Sequence, residues 1–469
     1  MNTFFKRTFS GLLVLYITVR TASFFLKDIP IGSEIIGALA VILFLYTCFK
    51  NRALAWTILV LELLLGGAGH FFEFNSLLIR TWLLGIFACV WALDIIRRKK
   101  LPPLPSKNIL VTLSIFGAFL LAAIIGGFLR GHNINYVLQD AILYLFALLL
   151  FPALEFETEE RSIYQTALRV FVWGSAIFSG LTLLFYSARI FFLKDPYYHW
   201  FRNIAAGKIT DLGEHFFRIV LPEQLFFIPI ILVLMSLLIK KSEKKWWLLL
   251  APALFVLTLN FTRIYILALG VSAFILLYRT SWKQWLKTSA LSLGVFLLIF
   301  FGTHLAASRG QSLGLELLGV RVTGVRAPDT DPSGAIRLAL LPDIKRTIQK
   351  HPLLGSGLGT TATYLDPVTQ TPQTRTQFDW GYFEMIAELG ILGTLAYLTF
   401  LGTILYNFVR TTHLSDHLSR GLFAGAIALF IINITTPALF QGFGVLYFIY
   451  LRQSNHKIIL PLSNHLSSK

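Results

Sequence analysis

All-α and polytopic is the fold class the sequence predicts: a transmembrane helical bundle of 12–14 helices with one large polar loop that carries a surface amphipathic helix. Three observations carry this. Hydrophobic residues make up 55% of the chain, charged residues 14%, and mean hydropathy is +0.68, so a bilayer must solvate most of it. The apolar residues fall in runs of about 15–25, the length a helix needs to cross a hydrocarbon core of about 30 Å. The lysines and arginines gather in the short gaps between those runs, where they set topology.

Taken in order, the runs are 9–26, 31–49, 53–70, 76–96, 109–129, 136–153, 164–193, 223–239, 246–260, 263–279, 287–305, 381–409, 421–436 and 438–451. The segment after Lys6 and Arg7 lacks a small-residue cleavage site and reads as the first span. Between 246 and 279 the length suits one tilted helix or two short ones meeting at Asn260-Phe261-Thr262-Arg263. Flanking charge decides for a hairpin. Only then do Lys6-Arg7, Lys50 and Arg52, Arg97 to Lys100, Lys240 to Lys245, Arg279 to Lys287, Arg410 with Arg420, and the tail from Arg452 share one side. The positive-inside rule makes that side cytoplasmic, and the acidic connection "LEFETEERSI" at 154–163 weighs little against it. Four segments follow: N-terminal transmembrane helices at 1–124, core transmembrane helices at 125–305, a large periplasmic loop at 306–380, and C-terminal helices with a cytoplasmic tail at 381–469. The expected location is a bacterial inner membrane, with the active face toward the periplasm.

Composition excludes several classes. The net charge of +17 is spread over loops between spans, which argues against a nucleic-acid partner. Cys48 and Cys89 lie in apolar runs and support neither a disulfide framework nor a thiolate site. His132, His199, His215, His304 and His351 show no paired ligand spacing, so no metal and no cofactor are expected. Asp329 and Asp331 form a D-x-D pair in "PDTDP", a spacing that can hold a divalent cation in sugar-transfer enzymes but that between two prolines reads rather as a turn.

On this topology the polar residues that face outward are Arg130-Gly131-His132, the loop 194–222, the 260–263 apex and the 75 residues of 306–380. In "LALLPDIKRTIQ", Leu338, Leu341, Ile344 and Ile348 recur at helical spacing, which predicts an amphipathic helix on the membrane surface. Pro352 ends it. "HPLLGSGLG" then supplies Gly355, Gly357 and Gly359, which serve either a tight return turn or backbone N–H groups aimed at an anion, though without the lysine of a P-loop. Arg130, Arg218, Arg263, Arg321, Arg326 and Arg337 are the outward arginines. A guanidinium fork fits phosphate oxygens bidentately, and the bland alternative is snorkelling to lipid headgroups. In "FDWGYFEMIAELGILG", Asp379 is either an N-cap or a general base, and Glu384 and Glu388 lie one turn apart on one face. Trp380 reads as a sugar-stacking platform or an interfacial anchor, and Glu384 as a reserve base.

The order "AIRLALLPDIKRTIQKHPLLGSGLGT", a polar insertion, then "FDWGYFEMIAELGILGTLAYL" resembles the O-antigen ligase and O-antigen polymerase superfamily, integral-membrane glycosyltransferases of the GT-C type. "RGHNINYVLQDAILYL", "FFRIVLPEQLFF" and "FTRIYILALG" are similar to three further stretches of that family, so the likeness covers roughly residues 125–450. It implies transfer or polymerisation of a glycan from an undecaprenyl-diphosphate carrier onto the hydroxyl of a glycan or lipid-core acceptor, as in lipopolysaccharide biosynthesis. By position Arg263 is similar to the family's arginine at a span end and Arg337 to its loop arginine. Asp379 falls where ligases carry a catalytic histidine, and Trp380 replaces the asparagine beside it. On this basis Asp379, Arg337 and Arg263 are the expected catalytic residues. Arg218, Arg130, Arg321, Arg326, Trp380, Glu384, Gly355 and Gly357 are expected to bind substrate. Two rival classes are a transporter or flippase of lipid-linked sugars, which would place its polar site near the midplane of paired halves, and a non-catalytic envelope-assembly scaffold.

Overall fold

In hydrocarbon only internal hydrogen bonds can satisfy a backbone, and each of the fourteen apolar runs folds as a helix. The computed structural model describes residues 2–453 apart from 68, 70, 76, 157–160, 189–190, 214, 318, 320–331, 367–369, 413 and 415. Among the described residues nine helices are long and apolar enough to cross a membrane: Thr8–Leu26, Ile31–Lys50, Ile79–Arg98, Lys107–Leu129, Ile134–Glu155, Tyr164–Ser187, Pro222–Lys240, Trp282–Ala307 and Gly381–Thr412. Arg263–Leu277, His417–Ile432 and Gly442–Arg452 are shorter apolar helices. Arg52–Leu65 and Lys244–Asn260, of 14 and 17 residues, complete the set. The fold is an all-α multi-pass bundle.

Several local expectations change. The run expected over 164–193 ends at Ser187, and a separate helix, Phe191–Asn203, follows because Trp200 and Phe201 turn inward to an aromatic core. The run from 246 to 279 is two helices: Phe261 adopts a left-handed conformation (φ 42°), Thr262 is extended, and a new helix starts at Arg263. Both halves pack against Phe227–Lys240. Three short antiparallel hairpins join the helices: Glu73–Phe74 with Leu77–Leu78, Lys208–Asp211 with Phe217–Val220, and Ala362–Leu365 with Pro372–Arg375.

The loop helix forms as Pro332–Lys350, and its inward stripe is Leu340 and the expected Ile344, both buried, flanked by the partly buried Ile336 and Ile348, whereas Leu338 is exposed. That stripe packs on Ala362, Tyr364, Phe378 and Ala387, a protein surface. Tertiary packing therefore kept Ile344 and Ile348 of the expected face and replaced its Leu338 edge with Ile336 and Leu340.

The chain divides into two units, each built from two chain segments. In Met1–Pro102 with Phe156–Asp331, the core gathers Tyr16, Phe178, Trp200, Phe201 and Phe216, and encloses an Arg20–Glu223 ion pair of 3.3 Å. In Pro103–Glu155 with Pro332–Lys469, Phe116, Tyr144, Tyr397 and Phe440 pack ring against ring with centroid spacings of 4.7–5.9 Å.

Candidate functional site

In the second unit, the loop helix, the Ala362–Arg375 hairpin and the start of Gly381–Thr412 share one small core. Arg337 lies on the loop helix and is half-buried; its Nε is buried with no hydrogen-bond partner among the described residues. The Trp380 indole Nε1 donates to the Arg337 carbonyl at 3.1 Å. Beside Trp380, Asp379 adopts φ 57°, a left-handed conformation that aspartate tolerates better than most residues. Its side-chain partner is Arg375, whose Nη1 donates to Oδ2 at 3.3 Å. The carboxylate remains 40% exposed and so is open to a ligand. Glu384, buried in the first turn of the helix, accepts from the Phe378 backbone N–H at 2.9 Å and fixes the segment leading into Asp379. The structure thus brings Arg337, Asp379, Trp380 and Glu384 together and adds Arg375.

The glycine turn has a different job from holding an anion. Gly355, Gly357 and Gly359 all have positive φ, and a Cβ on Gly357 would lie 2.3 Å from the Gly127 nitrogen. The turn wedges between helices, and its donors are committed within the protein. Ser356 N–H donates to the Ala387 carbonyl, Gly357 to Glu388, Leu358 to Ala123, and Gly359 to the Asp140 carboxylate, at 2.7–3.0 Å. In return Ile391 N–H reaches the Pro352 carbonyl at 2.9 Å. Gly390, at φ 72° and ψ 177°, interrupts the long helix to receive the turn. What Gly355 and Gly357 contribute is close approach of backbone to backbone.

Below the turn, Asp140, Glu384 and Glu388 are buried, and Tyr144 donates to Glu388 Oε2 at 3.4 Å. His132 Nδ1 lies 2.8 Å from the Leu358 carbonyl. Arg130, at the end of Lys107–Leu129, is exposed, with Nη1 alongside Gly126.

In the first unit, Arg218 commits Nε to the Asn260 carbonyl at 2.7 Å and Nη2 to Thr262 Oγ1 at 2.8 Å. Asn260 Nδ2 in turn donates to Gln224 Oε1 at 2.6 Å. These bonds satisfy the break between Lys244–Asn260 and Arg263–Leu277, so Arg218 fixes the start of the helix that Arg263 opens. Arg321, Arg326, Asp329 and Asp331 lie outside the described residues.

Arg375 and Asp140 carried no weight in the sequence reading, and Asn260 entered it only as part of the 260–263 apex. Asp140 had a signal, since it is an ionisable residue inside the apolar run 136–153. Arg375, in the polar stretch "TPQTRTQF", had none.

Residues 248–398 match the family model described as O-antigen ligase. The matched segment contains Arg263, Arg337, Gly355, Gly357, Asp379, Trp380 and Glu384, whereas Arg130, Arg218 and Asp140 lie upstream of it. No curated protein matches the chain. The match supports the resemblance to the O-antigen ligase and polymerase superfamily, and with it an O-antigen ligase-like membrane enzyme.

Proposed function

We propose, with the O-antigen ligase match as premise, that this chain is a membrane glycosyltransferase. It moves or polymerises a glycan from an undecaprenyl-diphosphate donor onto an acceptor hydroxyl at the periplasmic face. The observation that carries the reading is the buried, unpartnered Nε of Arg337 on a helix tied by Trp380 to the neighbourhood of Asp379. A guanidinium nitrogen left without an acceptor among the described residues suits an anionic ligand such as a diphosphate.

In this scheme the acceptor hydroxyl gives its proton to Asp379 as its oxygen bonds to the anomeric carbon. The bond from that carbon to the diphosphate oxygen breaks, and Arg337 stabilises the charge left on the diphosphate. Attack from the face opposite the leaving group inverts the centre. Arg375 orients the Asp379 carboxylate, and Glu384 holds the preceding backbone. The arginines supply the positive charge, so the scheme requires no metal. Arg263 is assigned to phosphate on the resemblance, and Arg218 acts through it by fixing the helix start.

Sidedness is the experiment that tests this reading. Cys48 is buried and Cys89 exposed, so a Cys89→Ser background carrying Leu353→Cys offers one reactive thiol beside the glycine turn. An impermeant maleimide applied to intact cells with a permeabilised outer membrane is expected to label it. Labelling only after lysis of the inner membrane would overturn the periplasmic assignment.

A further inference from the structure

Between Pro222–Lys240 and Lys244–Asn260 the chain reads "KKSEKK", four lysines against one glutamate, a net charge of +3 (4 − 1). The glutamate does not neutralise them evenly. Glu243 pairs with Lys245 at 2.5 Å and with Lys241 at 3.4 Å. Its hydrogen bond from Lys245, with the charge of both lysines, holds the carboxyl below the ordinary carboxylate range. Lys244 is exposed and has no hydrogen bond or ion pair among the described residues.

The aliphatic stem of Lys244 helps to line an almost wholly apolar groove of about 350 Å³ with Trp173, Trp247, Leu248, Ala251 and Pro252, which leaves the ammonium for the groove's mouth. Every other lining residue is apolar. Trp247 donates its Nε1 to Ser242 Oγ at 3.1 Å, so the polar edge of the indole stays at the loop while the ring lies along the groove. Tryptophans oriented in this way mark the boundary between headgroups and hydrocarbon. Pro252 is eight residues beyond Lys244, about 12 Å further along a helix at 1.5 Å per residue. The groove therefore starts at a charged loop and runs into the depth where acyl chains lie. Trp173 supplies the opposite wall from Arg161–Ser187, which packs against Lys244–Asn260.

We propose that this groove is a binding site for an anionic phospholipid, its phosphate at Lys244 and one acyl chain along Trp173, Leu248 and Pro252. Apolar contact alone selects nothing here, because the surrounding lipid tails are as apolar as the groove. Discrimination must come from the head, and a basic loop beside an apolar cleft between helices favours a net negative headgroup over a zwitterionic one. Among the described residues no carboxylate pairs with Lys244, which makes it the residue that discriminates. The occupied groove also braces the two helices that form its walls.

The test uses the full-length protein in detergent, titrated with phosphatidylglycerol, phosphatidylcholine or a polyprenyl phosphate, with bound lipid counted by native mass spectrometry and thermal midpoints recorded in parallel. Phosphatidylglycerol is expected to bind more tightly than phosphatidylcholine and to raise the midpoint, as any ligand specific to the folded state does. Lys244→Gln should weaken phosphatidylglycerol about fivefold, the weight of one lysine at a charged surface. Lys244→Arg should retain it, and Lys283→Gln, the same charge change in the first turn of Trp282–Ala307, should leave it unaltered. Equal binding of the two phospholipids would refute the site, and so would an equal loss in Lys244→Gln and Lys283→Gln. Preference for the polyprenyl phosphate over phosphatidylglycerol would also refute it, by showing the groove to be a carrier site.

Discussion

The Trp380 indole nitrogen donates to the carbonyl oxygen of Arg337 at 3.1 Å, tying the start of the helix after Asp379 to the helix that carries the loop arginine. Two residues 43 apart in sequence thereby set the spacing between a candidate base and a candidate phosphate ligand. Trp380→Phe keeps an aromatic ring, smaller than the indole, and deletes the donor. We predict a partial loss of glycan transfer at unchanged protein level, because one such bond contributes about 1 kcal/mol. Trp380→Ala, which also removes packing against Phe383, should lose more. Equal activity in the native protein and both variants would show that this tie does not matter.

Gly357 tests the wedge. A Cβ there would sit 2.3 Å from the Gly127 nitrogen on a backbone already at φ 89°, so Gly357→Ala is expected to destabilise by roughly 3 kcal/mol or more. Gly117 lies in Lys107–Leu129 with open space around it, and Gly117→Ala should be neutral or stabilise by up to about 1 kcal/mol. Fluorescence-detected size-exclusion profiles after heating separate the two. A Gly357→Ala protein as heat-resistant as the native one would contradict the packing described.

A third prediction concerns Asp140, whose Oδ2 accepts the Gly359 N–H at 2.9 Å. Asp140→Asn keeps an acceptor and should fold. Asp140→Ala leaves a buried N–H unpaired, at a cost of about 1–3 kcal/mol. Thermal midpoints that do not differ between these variants would remove the aspartate from any role in holding the turn.

Arg218 offers a fourth. Lysine cannot span Asn260 and Thr262 at once, so Arg218→Lys should lower the thermal midpoint and reduce activity with it. Because Arg218 and Thr262 share a bond, Arg218→Lys and Thr262→Val should be less than additive in a double-mutant cycle. Strict additivity would mean the bond contributes nothing.

Much of the fold was legible because hydropathy and flanking charge are properties of contiguous sequence. The fourteen apolar runs and the break at Asn260 to Arg263 need no knowledge of partners. Partners are what the site depends on. Arg337, Asp379 and Trp380 were found singly, but nothing local links Trp380 to Arg337, or Gly359 to Asp140 across 219 positions. The loop helix shows the limit in miniature. Hydrophobicity marked Leu338, Leu341, Ile344 and Ile348, of which the core took Ile344 and Ile348, together with Leu340 and Ile336, because Tyr364 and Phe378 lie on that side. The glycines were read correctly as permitting close approach, yet what approaches is the protein's own Gly390 and Gly127.

The central claim is that Arg337 and Asp379 carry transfer of a lipid-linked glycan. Its most direct measurement is surface glycan resolved by size on a gel, from cells making native protein, Arg337→Ala or Asp379→Asn at matched membrane levels. Both variants are predicted to lose the long glycan chains made by the native protein, or to retain a single repeat on the acceptor if the reaction is polymerisation. Native glycan profiles in both would contradict the account.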